Sequence, residues 1–259
     1  MAMPAEAGRA GPTGGHATMA KTTGAWPVAR NLPDYAATRR SCDWARARAM
    51  PDGLPNGGLN IAHEAVDRHA TGPRAAREAP RWIGRRGDRR RFTWRELRTA
   101  TNRVANALRA IGLQEGDRVF VLGGRIPERY LTVLGVLKAE CVVSPLFSDL
   151  GLEKIATRLE LGEARALVTT EALHARKVAV AGLRERHPKP ENVILVGEDG
   201  AAADVPGTRA WSRLTAEAAE DFAIPPRHPG TWPCCTSPAA PPAARRARCM
   251  CTRRWRCTR

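Results

Sequence analysis

The stretch Asp117–Val143, DRVFVLGGRIPERYLTVLGVLKAECVV, decides the fold. Asp117–Leu122 is a continuous apolar run after its first two residues, not an alternating one, which is how a strand covered on both faces reads. Gly123 and Gly124 turn the chain. Pro127 then opens a helix at the first position, where a missing N–H leaves nothing unsatisfied, and the helix is expected to run through Ala139. A second strand is expected at Cys141–Val143. Strand, turn, helix and strand in such short compass belong to a parallel sheet between helix layers.

The flanking sequence extends the pattern. Downstream, the spacing predicts a helix over Leu150–Leu161, a strand over Ala166–Thr169, a helix from about Glu171, a strand over Asn192–Val196 and a helix over Trp211–Ala219. Upstream, Thr93 and Glu96 form a capping box, each side chain satisfying the other's orphan N–H. Trp94, Leu97, Val104, Leu108 and Ile111 then share one helical stripe, and Gly112 stops the helix where a left-handed residue is wanted. Arg81–Gly84 and Arg91–Phe92 read as short strands of a hairpin around the basic turn Arg85–Arg90. Leu59–His69 reads as a helix with Ile61, Ala65 and Val66 on one face. The fold expected over 59–226 is therefore α/β: a parallel sheet with flanking helices. Residues 1–30, rich in Ala, Gly, Pro and Thr, are expected to be flexible, and 31–58 to be irregular.

Composition narrows the function classes. A hydrophobic fraction of 43% suits a globular protein, as does a mean hydropathy of −0.39. There is no apolar run long enough to span a membrane and no leader-like N-terminus, so the cytoplasm is the expected location and no membrane partner is expected. The net charge of +16 invites a nucleic-acid reading, but residues 227–259 alone hold eight arginines and no acid. The basic residues are not interleaved with stacking aromatics, so no specific nucleic-acid partner is expected. Cys234, Cys235, Cys249, Cys251 and Cys257 crowd the same tail without the paired arms of a zinc site; no metal ligands and no disulfides are expected.

Six segments in order, among them RFTWRELRTATNRVANALRAIGLQEGDRV, RIPERYLTVLGVLKAECVVSPLFSDLG and RLELGEARALVTTE, resemble the AMP-forming acyl-CoA synthetases of the adenylate-forming superfamily, most closely the acetate–CoA ligase type. The resemblance covers about 59–226. It implies the N-terminal part of a large α/β domain, with a small mobile domain beyond it. It also implies ATP-dependent activation of a short, acetate-like carboxylic acid to acyl-AMP, then transfer to CoA, with ATP, CoA and Mg as cofactors of the intact family, none of which is expected to bind well to this chain. The implied partners are the small carboxylate, ATP and CoA.

Two departures stand out. Glu140 occupies the place of the family's glycine in "LKAG"; a charge beside the buried strand is costly unless it reaches solvent. After Pro226 the family's phosphate-binding loop is due, yet the sequence continues RHPGTWPCCTSPAAPPAARRARCMCTRRWRCTR. Read with the last base of each codon joined to the first two of the next, Ser237–Ala247 can spell TSGTTGRPKG, the family's phosphate loop. The tail 227–259 is thus read as a frame-shifted, disordered, basic Cys/Arg/Pro-rich segment, following a slip between Pro226 and Gly230.

Candidate site residues follow from the resemblance. It puts CoA contacts at Gly124 and Arg125, after the first strand, and at Arg176 and Lys177, for which a solvated helix face is the alternative reading. Gly123–Gly124–Arg125 lacks the spacing of a dinucleotide-binding loop. Ser144–Ser148 follows a strand end but is read as structural, as are Asp67 and His69, which two apart on a helix do not face each other. No catalytic residue is expected within the chain, and ligase activity is expected to be absent. The alternative is a non-catalytic fragment binding CoA or other polyanions through Arg85–Arg91 and the tail, or a product without function.

Overall fold

A computed structural model of the protein describes residues 32, 34–179, 190–197 and 205–226. The expectations for residues 1–30 and for the tail 227–259 lie outside the described residues. The chain separates into two compact units, Met1–Arg48 and Ala49–Arg259. In the first, within a segment read from sequence as irregular, two short helices form: α1 (Tyr35–Arg40) and α2 (Trp44–Arg48). α1 starts at Asp34, whose carboxylate accepts the Ala37 N–H at 2.9 Å.

The second unit is built on a five-stranded, wholly parallel sheet. Its strands are β3 (Arg118–Leu122), β4 (Val142–Leu146), β5 (Ala166–Thr170), β6 (Asn192–Val196) and β7 (Arg209–Ala210), in the order β4-β3-β5-β6-β7. The continuous apolar runs are explained by two cores. Val119, Val121, Ala166 and Val168 face one, shared with the helices α4 (Trp94–Ala110) and α5 (Pro127–Lys138). Phe120, Leu122 and Leu167 face the other, shared with α6 (Leu152–Leu161). Successive side chains on a strand point to opposite faces, so consecutive positions such as Val119–Leu122 and Val193–Val196 are buried alike. α4 and α5 touch closely: a Cβ on Gly135 would lie 2.4 Å from Val104 Cγ1.

An antiparallel hairpin, β1 (Glu78–Ile83) and β2 (Arg89–Thr93), precedes α4. Its cross-strand pairing sets Arg81 opposite Arg91, a repulsive arrangement. Glu78 relieves it, with Oε1 2.7 Å from Arg81 Nε and Oε2 3.7 Å from Arg91 Nε. The capping box forms as read: Glu96 N–H donates to Thr93 Oγ1 and Thr93 N–H to Glu96 Oε2. Gly112 has φ +90.

Several boundaries differ from the sequence reading. The helix read over Leu59–His69 is α3 (Ile61–Ala65), interrupted at Val66 and resumed as a 3-10 turn, Asp67–His69. Its buried residues are Ala62 and Val66, whereas Ile61 is exposed. The rotation is fixed by Asn60, which caps Ala62 and His63 while its Nδ2 donates to Leu137 O. β4 starts one residue later than expected and continues through Pro145 to Leu146. It is the outer strand of the sheet, where a residue without an N–H breaks no ladder. The helix after β5 is α7 (Glu171–Leu173), running into a π-helical turn, His174–Ala179. α8 (Trp211–Glu217) closes the described chain, followed by the non-helical stretch 218–226.

Glu140 does not reach solvent. It is 2% exposed and sits at φ 54, in the left-handed region. α5 ends in a Schellman motif: Cys141 N–H donates to Val136 O and Glu140 N–H to Leu137 O. The position asks for glycine because of its backbone, and here a glutamate holds it.

Candidate functional site at the carboxyl edge of the sheet

Parallel strands deliver their outgoing loops to one edge of the sheet, and a crevice opens where neighbouring strands send their helices to opposite faces. β3 and β5 are such neighbours, with Leu122 opposite Thr169. α5 leaves β3 for the first core. α7 and the π-helical turn leave β5 for the second, burying Leu173 and Val178. The segments after these two strands carry the four residues singled out from sequence.

Gly123 and Gly124 form the turn after β3. A Cβ on either would meet nothing within 4 Å, so neither packing nor backbone demands glycine there. Arg129, a turn into α5, donates back to Gly123 O at 3.1 Å and fixes the loop. Arg125 is exposed, and its guanidinium makes no hydrogen bond or ion pair among the described residues. Its carbonyl accepts the Trp82 indole N–H at 2.6 Å, which ties the hairpin to this edge.

Arg176 and Lys177 lie on the π-helical turn, and their roles separate. Arg176 is exposed, its Nε donating to Ala172 O at 3.2 Å. Lys177 Nζ donates to the carbonyls of Ser148 and of Leu150, the latter at 2.8 Å. Lys177 therefore cross-links the loop after β4 to the turn after β5. Ser148, within the segment read as structural, contributes through its backbone. Arg125 and Arg176 follow strands that the β3–β5 pairing sets side by side.

Sequence reasoning missed two features of this region. Thr169, next to last in β5, is buried, and its Oγ1 has no hydrogen-bond partner among the described residues. The only signal was a hydroxyl in an otherwise apolar run. The second is a cavity of about 300 Å³ between the hairpin and α5, walled by Trp82, Phe92, Leu97, Pro127, Tyr130 and Leu131. Its walls come from four elements, β1, β2, α4 and α5, so no local pattern announces it.

Asp67 and His69, read as structural, are partly buried, and the His69 ring lies 4.7 Å from that of Trp94. Asp67 Oδ1 accepts from the fully buried Lys138 Nζ at 2.5 Å. Among the described residues there is no group of three His, Cys, Asp or Glu side chains placed to hold a metal ion, and no helix is long and apolar enough to cross a membrane.

Residues 66–240 match the family model described as AMP-binding enzyme. The chain is similar to the acetyl-coenzyme A synthetase of Bacillus subtilis, 36% identical over 168 residues, covering 64% of this chain and 28% of that protein. It is similar to the acetyl-coenzyme A synthetase of Streptomyces coelicolor, 30% identical over 181 residues, 66% of this chain and 27% of that protein. The 3-hydroxypropionyl-coenzyme A synthetase of Metallosphaera sedula is 34% identical over 120 residues, 46% of this chain and 18% of that protein. Among solved structures, a Brucella canis acyl-CoA synthetase superposes with a TM-score of 0.66 at 28% identity, over 76% of this chain and 34% of that one. The chain thus spans under a third of the length of these curated relatives.

Proposed function

This chain belongs to the AMP-binding enzyme family, and on that premise we propose that its parent activity is the ATP-dependent activation of a short, acetate-like acid to acyl-AMP, followed by transfer to CoA. The observation that carries the reading is the family match over 66–240, supported by the similarity to acetyl-coenzyme A synthetases. Residues 59–226 form the partial AMP-binding domain, a soluble, cytoplasmic module in this reading.

The β3–β5 crevice suits one part of that chemistry. CoA carries phosphates; Arg125 follows β3 and Arg176 follows β5, and both side chains are exposed. Gly124 leaves open space for a backbone approach. In this reading Gly124, Arg125 and Arg176 contact CoA directly, while Lys177, engaged with two carbonyls, acts by positioning the loop after β4. CoA supplies the thiol that takes the acyl group. No step is routed through ATP or magnesium.

Residues 227–259 contain no lysine and no Thr/Ser/Gly-rich loop ending in lysine in the frame as read. Such a loop offsets phosphate charge with backbone N–H groups and an ammonium. The chain as read is therefore expected to form no acyl-AMP, and the shifted frame to restore the loop. Reading the codons across Pro226–Gly230 and assaying acetate-dependent pyrophosphate–ATP exchange before and after frame repair tests this. Exchange by the chain as read, or codons unable to spell TSGTTGRPKG, overturns it.

A second reading has its own observation. Arg85 and Arg86 on the hairpin turn and Arg89 at the start of β2 are exposed and make no ion pair among the described residues. In this reading the chain is a non-catalytic binder of CoA or other polyanions. Such binding weakens steeply with salt, so CoA retention that survives 0.5 M salt (roughly a 4 Å screening length) argues for the crevice instead.

A further inference from the structure

We propose that the cavity between the β1–β2 hairpin and the start of α5 is a binding site for an amphipathic monocarboxylate, with its apolar body in the cavity and its carboxylate on the Arg125 guanidinium. The occupant is distinct from the substrates of the family reaction proposed above.

The site is built, not left over. Trp82 forms one wall, and its indole N–H is already engaged by Arg125 O at 2.6 Å, so the ring offers the cavity only its apolar surface. The indole lies across the hairpin because residue 84 is glycine: a Cβ there would stand 2.6 Å from Trp82 Cη2. Leu97 and Leu131 reach into the cavity from the ends of α4 and α5 that meet the core, and Phe92 and Pro127 complete it. Tyr130 at the rim is 53% exposed and Ile83 is 61% exposed. Apolar surface left in water beside a preformed cavity favours an apolar guest. At about 300 Å³ the cavity lies at the small end of ligand sites.

The charges choose the head group. Two arginines line the cavity, and Arg81 is held by both oxygens of Glu78 at 2.7 and 3.1 Å. Arg90, nearby on β2, is held by Glu128 at 2.5 Å. That leaves Arg125 as the lining cation without a partner among the described residues. A single planar guanidinium fork matches a carboxylate bidentately; a doubly charged phosphate asks for more donors than the cavity offers. The same hydrogen bond that fixes the Trp82 wall also fixes the backbone from which the Arg125 side chain springs.

Octanoate is the probe, titrated into the full 259-residue chain while the indole N–H resonance of Trp82 is followed by NMR, assigned with Trp82→Phe. The expected result is a saturable shift of that resonance, weakened at least tenfold in Arg125→Ala, and at least tenfold weaker for octanol than for octanoate. Gly84→Ala, which displaces the indole, weakens octanoate similarly, while Arg85→Ala changes it less than twofold. Each variant is checked for a wild-type circular dichroism spectrum; if Gly84→Ala fails that check, Tyr130→Ala takes its place with the same expected loss. An unsaturable shift, equal binding of octanol, or undiminished binding by Arg125→Ala overturns the proposal. Arg176→Ala separates the two sites: it is expected to weaken CoA and leave octanoate unchanged, so the CoA reading can fail without the cavity failing.

Discussion

Lys138 Nζ, with no exposed side-chain surface, donates to Asp67 Oδ1 at 2.5 Å and to Asn102 Oδ1 at 2.7 Å. This pair joins α5 to the turn after α3, and Asn102 extends it through Nδ2 to Glu220 O. Removing one member leaves a buried ion without its counter-ion. Asp67→Ala is therefore expected to destabilise the protein by about 3 kcal/mol or more, read by urea denaturation. The double variant Asp67→Leu/Lys138→Met is expected to recover most of that loss, because no unpaired charge remains.

The same lysine gives an alkaline signature. Burial, opposed by Asp67, holds the Lys138 ammonium below its ordinary value of 10.5. Between the folded value and 10.5 the unfolded chain binds more protons than the folded one. Stability contributed by this group thus rises with pH through that window. Lys138→Met is expected to remove the rise, measured as a flatter midpoint-versus-pH curve above neutrality.

Glu64 gives the acid counterpart. Burial alone would raise its carboxyl, but the N–H groups of Gly53 and Asp52 and the Arg68 guanidinium together hold it below 4.5. A lowered carboxyl stabilises above its unfolded value and loses that contribution as pH falls through the folded value. Glu64→Gln is expected to lower stability at neutral pH by about 2 kcal/mol and to lose less on acidification below 4.5. An unchanged acid limb in the variant contradicts the assignment.

Glu140 and Glu163 are the non-glycine residues with positive φ among those described, at 54 and 46. Both occupy the position after a helix end that Gly112 fills for α4. A left-handed side chain costs about 1–2 kcal/mol. Glu140→Gly is therefore expected to raise the melting temperature by about 2–4 °C. Glu163→Gly is expected to gain less, since it gives up an ion pair with Arg118.

Asn106 holds the extended stretch after α8, donating from Nδ2 to Ala219 O at 2.8 Å and to Asp221 O at 2.9 Å. Asn106→Ala is expected to cost about 1 kcal/mol and to speed amide exchange over 219–226 while leaving β3 protected. Equal loss of protection in β3 would mean that the stretch and the sheet unfold as one.

The elements whose signal is local were legible in the sequence. The Thr93–Glu96 capping box, the left-handed Gly112 and the opening Pro127 each depend on backbone geometry within a few residues. The continuous runs DRVFVL and NVILV announced a sheet covered on both faces, and the ordered segments announced the family. The site was legible only as a set of positions. Arg176 and Lys177 read alike, yet Lys177 is drawn onto the Ser148 and Leu150 carbonyls while Arg176 stays exposed, because the loop after β4 folds back over the turn after β5.

By itself, then, the sequence determined the helix caps, the strand character and the α/β class, since these rest on propensities and periodicities that a short peptide already carries. Only the tertiary structure decided which residues meet across long separations. The burial of Lys138 against Asp67, the left-handed strain at Glu140 and the seating of Trp82 on Arg125 O all depend on strand order and helix packing. Those arise from closing the two cores over the sheet, a free energy shared among residues far apart in the chain and therefore invisible in any local pattern.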